Sequence, residues 1–165
     1  MVFIINYLIE KMQLVHALEI VKWEYPEPYH VYNMEGSALA IAELMGGQYF
    51  TVCKDHKLVG FFCFGPSAQI RSPKGKPLYS DTDLLDVGLG MHPAYCGQGY
   101  GQGFVQAGLM FAIEKFWIGG FRLTVDAVNR RAQKVYKRLG FVPIGSFSAM
   151  RRPCTFVVMV MKLGV

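Results

Sequence analysis

Apolar and polar positions follow two different periods along this chain. Alternation with a period of two predicts strands near residues 2–7, 48–53, 57–64, 84–92, 121–127, 142–147 and 155–162. Helical spacing predicts helices near residues 10–23, 35–45, 99–117 and 129–139, and in the first of these Leu14, Leu18 and Val21 share one face. This order of elements predicts one α/β domain over residues 1–165, with a mixed sheet and helices on both of its faces.

Two segments of the chain follow neither the strand period nor the helix period. Residues 23–33 contain Pro26 and Pro28, which exclude a regular helix, and residues 66–83 form a long loop rich in Pro, Gly, Ser and Asp. The first segment also carries four aromatic residues, Trp23, Tyr25, Tyr29 and Tyr32. These aromatic side chains either line a pocket for a small amine or a peptide end, or form a small separate apolar cluster.

A glycine-rich loop follows the predicted strand 84–92 and leads directly into a predicted helix. Its glycines are spaced two residues apart, at Gly97, Gly99, Gly101 and Gly103. Such a loop can turn successive amide N–H groups toward one point, where a helix N-terminus adds partial positive charge. The pattern therefore favours an anion such as a pyrophosphate, and its alternative is a plain turn without a ligand.

The loop matches neither of two common nucleotide-binding patterns. No Gly-Lys-Ser/Thr occurs in the chain, so a Walker loop is excluded. The dinucleotide pattern G-x-G-x-x-G fails because Gln102 and Phe104 stand where its third glycine is required.

A second motif follows the strand predicted at residues 121–127. Asn129 is suited to cap the N-terminus of the next helix, and Gly140 is suited to end it. Between them one face carries Ala132, Val135, Tyr136 and Leu139. An ordinary amphipathic helix accounts for these features, apart from the tyrosine.

Together, the proline-led glycine loop and the later N-x-x-A-x-x-V-Y-K-x-L-G-F resemble the GNAT superfamily of acyl-CoA-dependent N-acetyltransferases over about residues 48–163. The resemblance implies a mixed, mostly antiparallel sheet, acetyl-CoA as the acyl donor, and an amine as the acceptor. It implies a coenzyme-binding core at about residues 84–141, with acceptor-side elements at about residues 1–47 and 66–83.

The resemblance also implies roles for individual residues. The pyrophosphate would lie on the amides of the glycine loop, and the pantetheine arm would contact the start of the second helix. The coenzyme-binding positions are then Leu89, Gly90, Met91, Cys96, Gly97, Gln98, Gly99, Tyr100, Gly101, Asn129 and Ala132. Tyr136 would protonate the departing thiolate.

Cys96 departs from the family pattern, which usually has Arg or Gln at this position. Because backbone amides make most of the phosphate contacts, this change predicts weaker anchoring rather than lost function. The thiol is either a half-buried small side chain or a reactive group near a helix N-terminus.

Acyl transfer to an amine requires a neutral amine, a polarised carbonyl and a protonated leaving thiolate. The resemblance implies that amides of Leu89, Gly90 and Met91 polarise the carbonyl, and Gly90 would let the thioester approach closely. A phenol has a pKa of about 10 and a thiol one of about 8.5, so Tyr136 can serve as the acid, although it is also a plausible core residue. The base is Asp86 or an ordered water chain. Asp86 faces either the acceptor or solvent, and His92 is better explained as structural.

Composition sets further limits. With 52% hydrophobic and 18% charged residues, the chain is a folded domain rather than a disordered one. The net charge of +5 includes no long basic run, so nucleic-acid binding is not predicted, although Arg130, Arg131 or Lys134 could meet the coenzyme phosphates. The four cysteines lack metal-ligand spacing, which predicts no metal and a cytoplasmic location. No signal or membrane segment is predicted, and a homodimer stays open.

The sequence therefore predicts a GNAT-type N-acetyltransferase that moves an acetyl group from acetyl-CoA to a primary amine of a small molecule or protein. Transfer would be direct, in a ternary complex. The competing hypotheses are a non-catalytic acyl-CoA-binding module and a structural protein whose glycine loop is accidental.

Overall fold

Seven strands and four α-helices are present in the computed structural model, which describes residues 6–149 and 154–164. The strands are β1 (Tyr7–Lys11), β2 (Tyr49–Lys54), β3 (Lys57–Phe64), β4 (Leu84–Met91), β5 (Gly120–Asp126), β6 (Val142–Ser148) and β7 (Thr155–Lys162). The helices are α1 (Leu14–Ile20), α2 (Ala38–Gly46), α3 (Gly101–Lys115) and α4 (Arg130–Leu139). The fold is therefore α/β, as the sequence predicts.

The strands form one sheet in the order β1-β2-β3-β4-β5-β7-β6. The pairs β1–β2, β2–β3, β5–β7 and β6–β7 are antiparallel, whereas β4 and β5 run parallel. The parallel pairing runs from Leu84↔Gly120 to Asp86↔Arg122, so it involves the first three residues of β4. The predicted mixed, mostly antiparallel sheet is confirmed.

A two-residue turn joins β2 to β3. Asp55 and His56 both have positive φ angles, 50° and 64°. Positive φ angles at both residues are typical of the type I′ turn, which is common in two-residue hairpins because its twist matches that of the flanking strands. The predicted hairpin around these residues is confirmed.

The chain divides into two compact units. The first contains the residues up to Cys63 together with Leu89–Phe111, and the second contains Phe64–Gly88 together with the residues from Ala112 onward. In the first unit Val52, Phe62 and Phe104 are almost completely buried, and the rings of Phe62 and Phe104 stack at 4.7 Å. In the second unit Phe121 and Val158 are fully buried.

The N-terminal region differs from its prediction in detail. The strand predicted at residues 2–7 is β1 at Tyr7–Lys11, and residues 2–5 of that prediction lie outside the described residues. The predicted inner face of α1 is also wrong in part, because Leu14 is 53% exposed and Leu18 is 42% exposed. The buried residues are instead Ala17, Ile20 and Val21. Helix α1 has seven residues, and the small side chain of Ala17 is its most deeply buried one.

Candidate active site

The glycine loop lies in the first unit and joins β4 to α3. A short 3-10 turn, Pro93–Tyr95, precedes it, and α3 begins at Gly101. Gly97 and Gly99 have φ angles of 70° and 83°, a region that glycine enters without the penalty of other L-residues. A Cβ atom at Gly99 would meet nothing within 4 Å, so this side of the loop is open. The loop has the conformation and the exposed position that an anion site requires.

Local hydrogen bonds hold the loop in this shape. Gln98 Nε2 donates to the Ala94 carbonyl at 2.6 Å, and the Ala94 N–H donates to His92 Nδ1 at 3.0 Å. The His92 N–H donates in turn to the Val59 carbonyl at 2.8 Å. His92 is thus bound to the loop and to β3, which agrees with its predicted structural role.

Cys96 is half-buried at the start of the loop. Its Sγ lies 3.6 Å from the carbonyl oxygens of both Met91 and His92, to which the thiol can donate. The side chain therefore faces back toward the end of β4. These contacts favour the half-buried alternative for Cys96 over the reactive one.

Leu89, Gly90 and Met91 form the last part of β4 and belong to the first unit. A Cβ atom at Gly90 would lie 2.3 Å from the Phe61 ring. The glycine is therefore required by the packing of Phe61, and on that side the space predicted for a thioester is already filled.

The proline-containing segment contacts this strand end. The Tyr25 hydroxyl donates to the Met91 carbonyl at 2.7 Å, and Trp23 is buried against His92, with ring centroids 5.0 Å apart. Burial raises the pKa of Tyr25, and Cys96 adds to the rise, so this phenol stays protonated as a donor. Trp23 belongs to a packed cluster, whereas Tyr25 fixes the segment beside the last residue of β4.

Replacing Tyr25 by phenylalanine should therefore destabilise the protein by about 1 kcal/mol, because a part-buried hydrogen bond is lost. Urea unfolding measures the change. Tyr95→Phe is the matched control, since no hydrogen bond of the Tyr95 hydroxyl occurs within residues 6–149 and 154–164. Equal stabilities of the two variants would contradict the anchoring role.

The second motif lies in the second unit, on α4. Asn129 Oδ1 accepts a hydrogen bond from the Ala132 N–H at 3.1 Å, and Gly140 ends the helix with a φ of 106°. Both predicted caps are confirmed. Tyr136 is 7% exposed, and its ring packs edge-on against Phe141 at 6.0 Å. Its ring therefore belongs to the packed interior, as the core alternative for this residue expects.

Asp86 also lies in the second unit but is not solvated. It is 3% exposed, and its two carboxylate oxygens each accept a 2.7 Å hydrogen bond from Arg122, from Nε and from Nη2. Gln69 Nε2 donates to Oδ2 at 2.8 Å. The alternative of a solvent-facing Asp86 is wrong, because β5 places a buried guanidinium directly beside it.

Arg122 is the residue that sequence reasoning missed. Its Nη1 donates to the carbonyls of Leu78 and Asp81, at 3.4 and 3.0 Å, and the Tyr79 ring lies 5.2 Å from the guanidinium carbon. The buried pair therefore ties the 66–83 loop to β4 and β5. A single arginine between Phe121 and Leu123 in an apolar strand was the available signal.

Residues 6–149 and 154–164 contain neither a candidate membrane helix nor a candidate metal site. No helix there has the length and apolar character needed to cross a membrane. No group of His, Cys, Asp and Glu in the same residues could hold a metal ion.

The fold is shared by acetyltransferases of known structure. A GNAT acetyltransferase from Bacillus anthracis is 17% identical, with a TM-score of 0.65 and 95% of each chain covered. An aminoglycoside acetyltransferase in complex with coenzyme A is 13% identical, with a TM-score of 0.74 and 94% of each chain covered. The ribosomal-protein-S18-alanine N-acetyltransferase from Escherichia coli is 19% identical, with a TM-score of 0.63, and covers 96% of this chain and 95% of its own.

The class of protein follows from the sequence as well as from the fold. Residues 16–141 match the acetyltransferase (GNAT) family, although no curated protein is significantly similar to the chain. The chain belongs to the GNAT family and is an acyltransferase, which confirms both predictions. The family uses acetyl-CoA as the acyl donor.

Proposed function

We propose that this protein transfers an acetyl group from acetyl-CoA to a primary amine of a small molecule or a protein, directly and in a ternary complex. The conformation of the glycine loop is the observation that carries the proposal. Two structural relatives support an amine acceptor, since one is an aminoglycoside acetyltransferase and the other a ribosomal-protein-S18-alanine N-acetyltransferase. We further propose a cytoplasmic location, since the four cysteines are far apart in the sequence and lack the spacing of a disulfide framework.

The residues of the loop fit the pyrophosphate of the coenzyme. Positive φ angles at Gly97 and Gly99 are compatible with amides that converge on an anion. Gly101 is the first residue of α3, so its amide has no carbonyl one turn earlier in that helix. The amides of Gly97, Gln98, Gly99, Tyr100 and Gly101 would hold the pyrophosphate, and acetyl-CoA supplies the acyl group as a thioester when it is bound.

The other roles come from the family resemblance. Asn129 and Ala132 would contact the pantetheine arm, and the amides from Leu89 to Met91 would polarise the acyl oxygen. The Tyr136 hydroxyl would give its proton to the departing thiolate sulfur. Each of these groups acts through a proton or a hydrogen bond, so the protein needs no covalent intermediate.

We assign Asp86 a positioning role in place of the predicted general base. Both of its carboxylate oxygens already accept charge-assisted hydrogen bonds from Arg122, and such bonds stabilise the ionised form. A proton taken from the amine would remove the charge of Asp86 and leave the buried guanidinium of Arg122 without its counter-charge. Ordered water then remains as the carrier of the amine proton.

Isothermal titration with acetyl-CoA tests the loop, with free CoA and NAD as comparators. Gly99→Ala should weaken acetyl-CoA binding about 5- to 30-fold, because a left-handed conformation costs an alanine about 1–2 kcal/mol. The matched control is Gly103→Ala, since Gly103 lies inside α3 and a Cβ atom there would also meet nothing within 4 Å. Absence of selective acetyl-CoA binding, or equal losses in both variants, would overturn the assignment of the loop.

A further inference from the structure

A cavity of about 230 Å³ lies within the first unit, beside the glycine loop. Its walls come from the start of β1, the β2–β3 turn, the loop and the first turn of α3. The residues that give it its chemical character are Tyr7, Lys54, Lys57, Tyr95, Tyr100 and Phe104. None of these side chains has a role in the acetyl transfer proposed above.

Four of the nine residues that line the cavity are aromatic. Phe104 is 1% exposed and forms a buried part of the lining, and Tyr7 packs edge-on against it with centroids 6.0 Å apart. Tyr95 and Tyr100 also meet edge-on, at 6.2 Å. Rings in such arrangements offer both faces and edges to a flat guest, so the walls suit a planar aromatic group.

The polar groups at this cavity favour an anion. The Lys54 ammonium lies 5.5 Å from the Tyr7 centroid and 5.8 Å from that of Tyr100. Lys57 adds a second cation, and Asp55 is the single acidic residue of the lining. Neither lysine forms a salt bridge within the part of the chain that the structure describes. Burial and the nearby Tyr100 raise the pKa of Tyr7, so its hydroxyl stays protonated and can donate.

The volume limits the size of the ligand. Pockets for drug-sized ligands begin at roughly 300 Å³, so this cavity suits a ligand of one or two rings. A whole coenzyme, with its nucleotide and its long arm, is too large for it. We propose that the cavity binds a small planar aromatic anion, such as an aromatic carboxylate, as a second ligand distinct from acetyl-CoA.

Such a ligand would also act on the coenzyme loop. Tyr100 lies between Gly99 and Gly101, so a ligand packed against its ring would restrict the conformations of the loop backbone. Because both sites would include this loop, we expect binding at one to alter binding at the other, and such coupling is reciprocal. The ligand would therefore change the affinity for acetyl-CoA without replacing it.

Isothermal titration with 2-naphthoate tests the cavity, and 2-naphthamide serves as its neutral isostere. We expect 2-naphthoate to bind and the amide to bind at least about tenfold more weakly, because the charge-assisted hydrogen bonds are lost. Lys54→Met should weaken 2-naphthoate binding about tenfold as well. Lys22→Met is the matched control, since Lys22 is exposed and lies outside the cavity.

The same titrations at saturating acetyl-CoA separate a second ligand from a part of the coenzyme. Binding of 2-naphthoate to the acetyl-CoA complex, with an altered affinity, would support the proposal. Complete mutual exclusion would overturn it, as would no binding or equal binding of acid and amide. If Lys54→Met lowers the melting temperature, Lys57→Met replaces it, since Lys57 is exposed and lines the same cavity. An unchanged affinity for 2-naphthoate in the folded variant would also overturn the proposal.

Discussion

Replacing Tyr136 by phenylalanine should lower turnover about 10²- to 10⁴-fold, the range typical of a lost general acid or base. The change removes one oxygen from a side chain that is 7% exposed and keeps the ring that packs against Phe141. The affinity for acetyl-CoA should therefore stay close to that of the natural protein. Steady-state kinetics with release of free thiol measures the turnover, and titration measures the affinity.

A second buried tyrosine controls for the structural effect of this change. Tyr49 is also 7% exposed, and its hydroxyl donates to Glu43 Oε1 at 3.1 Å, outside the proposed machinery. Tyr49→Phe should lose about 1 kcal/mol of stability and keep its turnover. If Tyr136→Phe turns over as fast as Tyr49→Phe, Tyr136 is a core residue and not the acid.

The parts of the fold that the sequence could predict have local causes. Asn129 caps α4 because its side chain reaches an amide three residues away, and Gly140 ends the helix because its φ is positive. The β2–β3 hairpin follows from two polar residues between two apolar runs. Each of these signals lies within a few residues of the structure that it determines.

The parts that could not be predicted depend on distant partners. Asp86 and Arg122 are 36 positions apart, and Tyr25 and Met91 are 66 positions apart. No spacing in the sequence indicates that either pair is in contact. The predicted buried face of α1 was wrong in part for a related reason. Ala17 is buried by its neighbours in the fold, although Leu14 and Leu18 are more apolar. Periodicity predicts that a face exists, whereas packing decides which residues occupy it.

Replacing Asp86 by alanine should destabilise the protein by about 3–5 kcal/mol, the usual cost of leaving one partner of a buried ion pair alone. Arg122 is 2% exposed, so its charge would stay buried without a carboxylate. An exposed pair gives the matched control: His30 and Glu27 lie 2.8 Å apart with exposed side chains, and Glu27→Ala should cost less than about 1 kcal/mol. Urea unfolding of both variants measures the difference.

The double variant Asp86→Leu with Arg122→Met separates charge from packing. Removing both charges leaves no buried ion, so much of the lost stability should return. Recovery should be incomplete, because Leu78 and Asp81 lose the donor that their carbonyls share. Asp86→Asn adds a functional readout, since it keeps the shape but not the charge. Its folded fraction should retain turnover if Asp86 only positions the loop, and a loss as large as that of Tyr136→Phe would restore Asp86 as the base.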